Sequence, residues 1–222
     1  MLNRFQFTLA LMLCLTASLQ AAPILKWDKT EVEISMEPDQ EEARATFTVT
    51  NEGSETVRIS KIKTSCGCTG SIVDRKIIKP GESTEIVGTF NRGKRKGLNR
   101  NRLEVFIDGQ ESPVATLLIA VQIPVLIEAM PQIVYWSRSG SKTPRQVRLN
   151  LDERYIDEIT QIEYDRSKLT VVEKEEATKK ADLILEINPL SYTEASRSTV
   201  TVYGAGSGGR KAEARVHVIV QP

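Results

Sequence analysis

Cysteine is scarce in this chain, with three residues in 222, and one of them, Cys14, lies in the N-terminal stretch. That excludes a scaffold stapled by many disulfides. Histidine is scarcer still: His217 is the only one. A structural zinc site wants four ligands, and two cysteines beside one distant histidine do not supply them. A hydrolase with a histidine base would have to rest on His217, which sits among Val216, Val218 and Val220 on a strand-like run, and no Gly-x-Ser-x-Gly elbow is present. The sequence is therefore read as non-enzymatic. Aromatic residues make up 5% of the chain, so the core must be built from Val, Ile and Leu. Apolar spacing at three and four is almost absent, which excludes a helical architecture.

Net charge is missing too. The first residues place Arg4 before an apolar run from Phe5 to Leu15 and small residues at Ala21 and Ala22, the pattern of a secretory signal peptide over residues 1–21. The run is shorter than the roughly 20 residues that cross a bilayer. Cleavage is expected after Ala21, with a cut after Ser18 as the alternative because Leu19 is large for its place, leaving no transmembrane anchor in a secreted or periplasmic protein. Losing Arg4 leaves 29 cations against 29 acids. A neutral chain has no long-range field for nucleic acid, whose binding rests mainly on phosphate neutralisation.

What the sequence does have is period-two alternation. From Ala43 to Asn51 it places Ala45, Phe47 and Val49 on one face and threonines and Arg44 on the other, as in a half-buried strand. Runs of the same kind are Val57 to Thr64, Thr84 to Phe90, Arg102 to Ile107 and Ala115 to Ile123. After Pro124 a second set follows: Ile133 to Trp136, Gln146 to Leu151, Ile159 to Tyr164, Lys168 to Val172, Ala181 to Ile187, Ser198 to Tyr203 and Ala212 to Val220. About seven short strands per hundred residues indicate an immunoglobulin-like sandwich. The expectation is an all-β chain with two tandem immunoglobulin-like β-sandwich domains, residues 22–124 and 125–222. A faint internal repeat supports it: Val105-Phe106-Ile107-Asp108-Gly109, a turn and Val121-Gln122-Ile123-Pro124 recur as Val200 to Gly204, a Gly-rich turn and Val220-Gln221-Pro222. Gly204 to Gly209 joins strand to strand and reads as a hairpin, not as a phosphate loop.

Two features carry chemistry. Cys66 and Cys68 flank Gly67 at the end of a strand-like run. Residues two apart in a strand share a face, and a rise of about 3.3 Å per residue separates their Cα atoms by about 6.6 Å, so a disulfide needs a local bend. Gly67, without a Cβ, allows it. Three readings compete: a disulfide that holds a turn, a labile redox pair, and a two-thiolate site for a soft metal, chiefly Cu(I). The second feature is the basic stretch Asn91 to Arg102, with Arg92, Lys94, Arg95, Lys96, Arg100 and Arg102 and no acid. It reads as a hairpin loop and the foot of the next strand, either a solvated tip or a contact for an anionic surface component or acidic protein face. It holds no aromatic residue for base stacking. An acidic patch, Glu37 to Glu42, is expected in a turn before the strand near Ala43, where it could meet the basic loop of another molecule.

The ordered combination of Phe47 to Gly53 with its Asn-x-Gly, Val57-Arg58-Ile59, Ser65-Cys66-Gly67-Cys68-Thr69, Ile78-Lys79-Pro80-Gly81-Glu82 and Gly88 to Asn91 resembles the bacterial secreted family of unknown function numbered fifteen seventy-three. The resemblance covers the first half of the mature chain. It implies a hydin or major sperm protein-like immunoglobulin fold and an envelope location. Residues from Pro131 onward show no such motif. The function expected is a binding or scaffold protein of the cell envelope; the alternative is a thiol-active protein using Cys66 and Cys68.

Overall fold

The computed structural model describes residues 24–175 and 182–221, so the expected leader and its cleavage site lie outside the described residues. The described chain is all-β apart from one short 3-10 turn. The first nine strands are β1 (Leu25–Trp27), β2 (Glu31–Ser35), β3 (Glu42–Asn51), β4 (Val57–Thr64), β5 (Thr69–Val73), β6 (Ile77–Ile78), β7 (Ser83–Asn91), β8 (Gly97–Ile107) and β9 (Ala115–Ile123). They form two sheets, ordered β1-β3-β7-β5 and β2-β9-β8-β4-β6. The remaining strands are β10 (Ile127–Met130), β11 (Ile133–Ser137), β12 (Arg145–Leu151), β13 (Glu158–Glu163), β14 (Leu169–Glu175), β15 (Asp182–Pro189), β16 (Ser196–Gly206) and β17 (Arg210–Gln221). Their sheets run β10-β12-β15-β14 and β11-β17-β16-β13.

Alternation decides which side chains are inside. In β3 the buried set includes Ala43, Ala45, Phe47 and Val49, and in β8 Leu103 and Val105 point into the same core. A second, separate core gathers Trp136, Val147, Leu149, Leu185, Val200 and Val216. Each core lies between two sheets, as the two apolar faces of a sandwich require. Phe106 is the exception in β8. It lies on the outer face, where the Lys61 and Lys63 ammonium groups sit 4.6 and 4.9 Å from its ring centroid, and it is buried all the same.

The faint sequence repeat corresponds to a repeat of topology. If β6 is set aside, strands one to nine of the first sandwich map in order onto β10 to β17, sheet by sheet. In both, the last strand pairs antiparallel with the one before it and parallel with an early strand: β9 with β2, and β17 with β11. In both, the chain also leaves one sheet for the other between corresponding strands, from β4 to β5 and from β13 to β14.

The acidic patch lies where it is expected, with Glu37 to Glu41 in the turn before β3 and Glu42 opening that strand, and three contacts of this turn are made within the chain. Asp39 Oδ2 accepts from Arg210 Nη2 at 2.9 Å, the Tyr155 hydroxyl donates to Glu37 at 3.3 Å, and Arg92 donates to the Pro38 carbonyl. Arg210 also lies 5.0 Å from the Tyr155 ring centroid. The reason is topological: this turn and the hairpin between β16 and β17 meet across the two sandwiches. The run Gly204 to Gly209 is a tight hairpin rather than a loose loop. β16 continues to Gly206, and Gly208 and Gly209 take positive φ of 74° and 78° at the reversal.

Candidate functional site

Thr64 ends β4 and Thr69 begins β5, so Ser65 to Cys68 make the crossover between the sheets. The crossover is tied to its surroundings by the backbone. Ser65 N donates to the Arg102 carbonyl and Arg102 N to Ser65 Oγ, each at 3.0 Å. Asn91 N donates to the Cys68 carbonyl at 2.8 Å. These bonds join the two motifs that the sequence offers separately, the cysteine pair and the basic stretch, at one end of the first sandwich.

Cys66 and Cys68 form a disulfide, with their Cα atoms 5.3 Å apart. The bend that an extended chain lacks is present at Gly67, and a Cβ there would meet nothing within 4 Å. Cys68 is 6% exposed, whereas Cys66 is half-buried and Gly67 exposed. Cys68 N points at Cys66 Sγ at 3.3 Å, and Thr69 Oγ1 stands 3.6 and 3.8 Å from the two sulfurs. Bonded to each other, the sulfurs are not thiolates, the form a soft metal takes. Among the described residues no cluster of three or more His, Cys, Asp or Glu could hold a metal ion.

The residue that sequence reasoning missed is Asn101, on β8 with its side chain turned inward. It is 4% exposed. Its Oδ1 lies 3.1 Å from Cys66 Sγ and 3.4 Å from Cys68 Sγ. Disulfide sulfurs carry no hydrogen, so neither contact is a hydrogen bond in this state. Its Nδ2 is buried without a hydrogen-bond partner among the described residues. The available signal was the alternation of β8, which puts position 101 on the face of Leu103 and Val105.

The basic stretch divides by what its side chains touch. Arg92 is committed to the Pro38 carbonyl and Lys96 to the Glu213 carbonyl at 3.2 Å, and Arg95 reaches back to the Asn91 and Arg92 carbonyls. Lys94, Arg100 and Arg102 are exposed, and no side-chain ion pair or hydrogen bond engages them among the described residues. Arg100 and Arg102 are not loop residues: β8 begins at Gly97, and strand register puts them on its outer face with Leu98. Lys61 and Lys63 of the neighbouring β4 extend the same face, with Lys63 opposite Glu104 and Lys61 opposite Phe106. His217 is exposed on β17, as its alternation indicates.

The model of a family described as "Protein of unknown function (DUF1573)" matches residues 25–122. The first sandwich is thus similar to that family over nearly its whole length. The DUF1573 segment starts with β1 and ends within β9, so it contains the cysteine pair, Asn101 and the basic strip. No curated protein matches the chain. Among solved structures, the YadV chaperone is similar at 14% identity and a TM-score of 0.34, over 87% of this chain and 98% of its own. A protein of unknown function from Porphyromonas gingivalis W83 is similar at 11% identity and a TM-score of 0.35, over 88% and 99%. The Vibrio cholerae VesB protease is similar at 16% identity and a TM-score of 0.35 over 44% of this chain, which spans 31% of the protease chain. No described helix is long and apolar enough to cross a membrane.

Proposed function

We propose that this protein is an exported, non-enzymatic binding or scaffold module of the bacterial cell envelope, which meets an anionic surface component or an acidic protein face with one end of its first sandwich. The observation that carries the reading is the outer face of β8 and β4, where Leu98, Arg100, Arg102, Lys61 and Lys63 are set by strand register. Cations fixed on a sheet form a patterned surface at little conformational cost on binding, and they raise the local concentration of anionic partners in a salt-dependent way. Export rests on Arg4, the Phe5 to Leu15 run and Ala21-Ala22. N-terminal sequencing of the protein recovered from the envelope should begin at Ala22.

The test of binding compares wild type with a Lys94→Gln, Arg100→Gln, Arg102→Gln variant on an immobilised acidic polysaccharide and on vesicles rich in anionic phospholipid. Wild type should be retained at low salt and released as salt rises, and the variant should elute early. Equal retention of both proteins on both supports would remove the reading. A second reading, thiol chemistry at Cys66 and Cys68, is favoured by one observation: a buried amide packed against both sulfurs.

A further inference from the structure

We propose that the Cys66–Cys68 disulfide is a reversible thiol–disulfide exchange site whose partner is a dithiol protein, and that Asn101 is the positioning residue that favours its reduced form. The inference rests on the second reading above. Its first support is the mismatch at Asn101. With Oδ1 against the sulfurs, as the structure has it, the amide oxygen faces two atoms that have no proton to give, and Nδ2 is buried without a partner. Turning the amide over exchanges the two ends: Nδ2 then points at the weakly accepting disulfide and Oδ1 takes the orphaned place. In the first orientation reduction supplies two S–H donors to Oδ1. In the second it supplies a thiolate, a far better acceptor than a disulfide sulfur. Either way reduction improves the bonding of a buried amide, and buried polar groups without partners are costly.

The second support comes from the repeat. The second sandwich makes the same crossover, from β13 to β14, with no disulfide. Asp165 holds that bend, its Oδ1 accepting from Ser167 N at 3.0 Å and Ser167 Oγ at 2.6 Å, and its carbonyl accepting from Lys168 N and Leu169 N. The topology thus does not need a covalent link at this position. A three-residue loop also restrains the unfolded chain far less than a long one, so stability is a weak reason for the bond.

Access is one-sided. Cys66 is half-exposed beside an exposed Gly67, while Cys68 is buried against Asn101 and Thr69. A partner thiolate therefore attacks Cys66 Sγ. The bond between the two sulfurs breaks, its electron pair goes to Cys68 Sγ, and that sulfur takes a proton. The partner's second thiol then attacks the mixed disulfide, releasing the Cys66 thiol and leaving the partner as a disulfide. Net, the dithiol partner is oxidised by two electrons and this protein is reduced by two, and the reverse sequence oxidises it again.

The experiment equilibrates the mature protein with glutathione couples of graded ratio and reads the dithiol fraction by alkylation and mass spectrometry, for wild type, Asn101→Ala and Asn101→Ser. Thermal midpoints are measured for the oxidised and reduced forms of each. The expected result is a shift of the Asn101→Ala equilibrium toward the disulfide by at least about fivefold, with a smaller shift for Asn101→Ser. The gap in melting temperature between oxidised and reduced forms should widen in step, because Asn101 loses its donors only in the oxidised state. A residue that merely fills space would lower both midpoints alike. Equal equilibria in all three proteins, or equal losses in both forms, would overturn the role of Asn101 while leaving exchange standing. A folded protein whose disulfide neither glutathione nor dithiothreitol reduces would overturn the exchange site itself.

Discussion

Arg210 of the second sandwich donates through Nη2 to Asp39 of the first at 2.9 Å, across 171 positions of sequence. The same guanidinium stacks on Tyr155, whose hydroxyl donates to Glu37, so a small polar clasp joins the sandwiches in addition to the chain connection and the Lys96–Glu213 contact. Asp39 is exposed, and an exposed pair contributes about 0 to 1 kcal/mol. Asp39→Asn should therefore cost under about 1 kcal/mol in urea unfolding. Arg210→Ala should cost more, because its side chain is only 25% exposed and also packs on an aromatic ring. Equal effects of the two substitutions would show that the stacking contributes nothing.

Gly206 tests the packing beneath that clasp. A Cβ built there would lie 1.8 Å from the Tyr155 carbonyl oxygen. This is backbone, so a rotamer change cannot relieve it. Gly206→Ala should destabilise the protein by about 1 to 3 kcal/mol, the usual range for overpacking. Gly67→Ala, which meets open space, is the matched control and should leave the denaturation midpoint within about 0.5 kcal/mol of wild type.

Replacing Cys66 and Cys68 together by Ser should leave the fold in place. Closing a loop of three residues restricts the unfolded chain by only about 1.6 kcal/mol in the chain-entropy relation. Denaturant unfolding of the double variant should fall short of oxidised wild type by about that amount or less, with the circular dichroism spectrum unchanged. Failure of the variant to fold would show that the crossover does depend on the bond.

Asp152 contributes to the acid response of the second sandwich, as Asp165 and Glu186 do. Its carboxylate accepts from Arg154 Nε at 2.8 Å and Nη2 at 2.7 Å, and from Arg154 N at 3.3 Å. The guanidinium holds the carboxyl below its ordinary value, against the burial that pushes it up. A depressed folded-state value means a contribution that is complete above the unfolded value of about 3.9 and is lost as pH falls below it. Asp152→Asn should lower stability at neutral pH and flatten the acid limb below about pH 4. Parallel stability curves for wild type and variant through that range would contradict the assignment.

Much of the architecture was legible because a strand buried on one face writes its geometry into alternate residues. Val57 to Thr64 and Ala115 to Ile123 are strands with those limits. β1, β2, β5, β6 and β10 were not read as strands: they are two to five residues long, so a period rests on at most two or three inward residues, and of the strands this short only β11 was read. The start of β8 was hidden by charge: Leu98, Arg100 and Arg102 face outward, so the strand reads as polar until Leu103. The cysteine pair was visible as a motif, but its bonding was open, since extended geometry sets the Cα atoms too far apart and only the bend at Gly67 closes the distance. Asn101 could not be found from sequence as a neighbour of the sulfurs. It comes from 33 residues beyond Cys68, and only the pairing of β4 with β8 brings it there.

The parallel pairing of β2 with β9 also governs when each sandwich can be completed. A chain emerging from the ribosome exposes Glu31–Ser35 long before Ala115–Ile123 exists to receive it, and such distant pairings are slow to form. Glu31 and Glu33 give the waiting segment like charges that discourage it from joining a copy of itself. In the second sandwich the corresponding wait falls to Ile133–Ser137, which must remain unpartnered until Arg210–Gln221 has been made. That segment, Ile-Val-Tyr-Trp-Ser, carries no charge at all, so during synthesis the second half of the molecule is the more exposed to aggregation and the half for which a holdase would matter most.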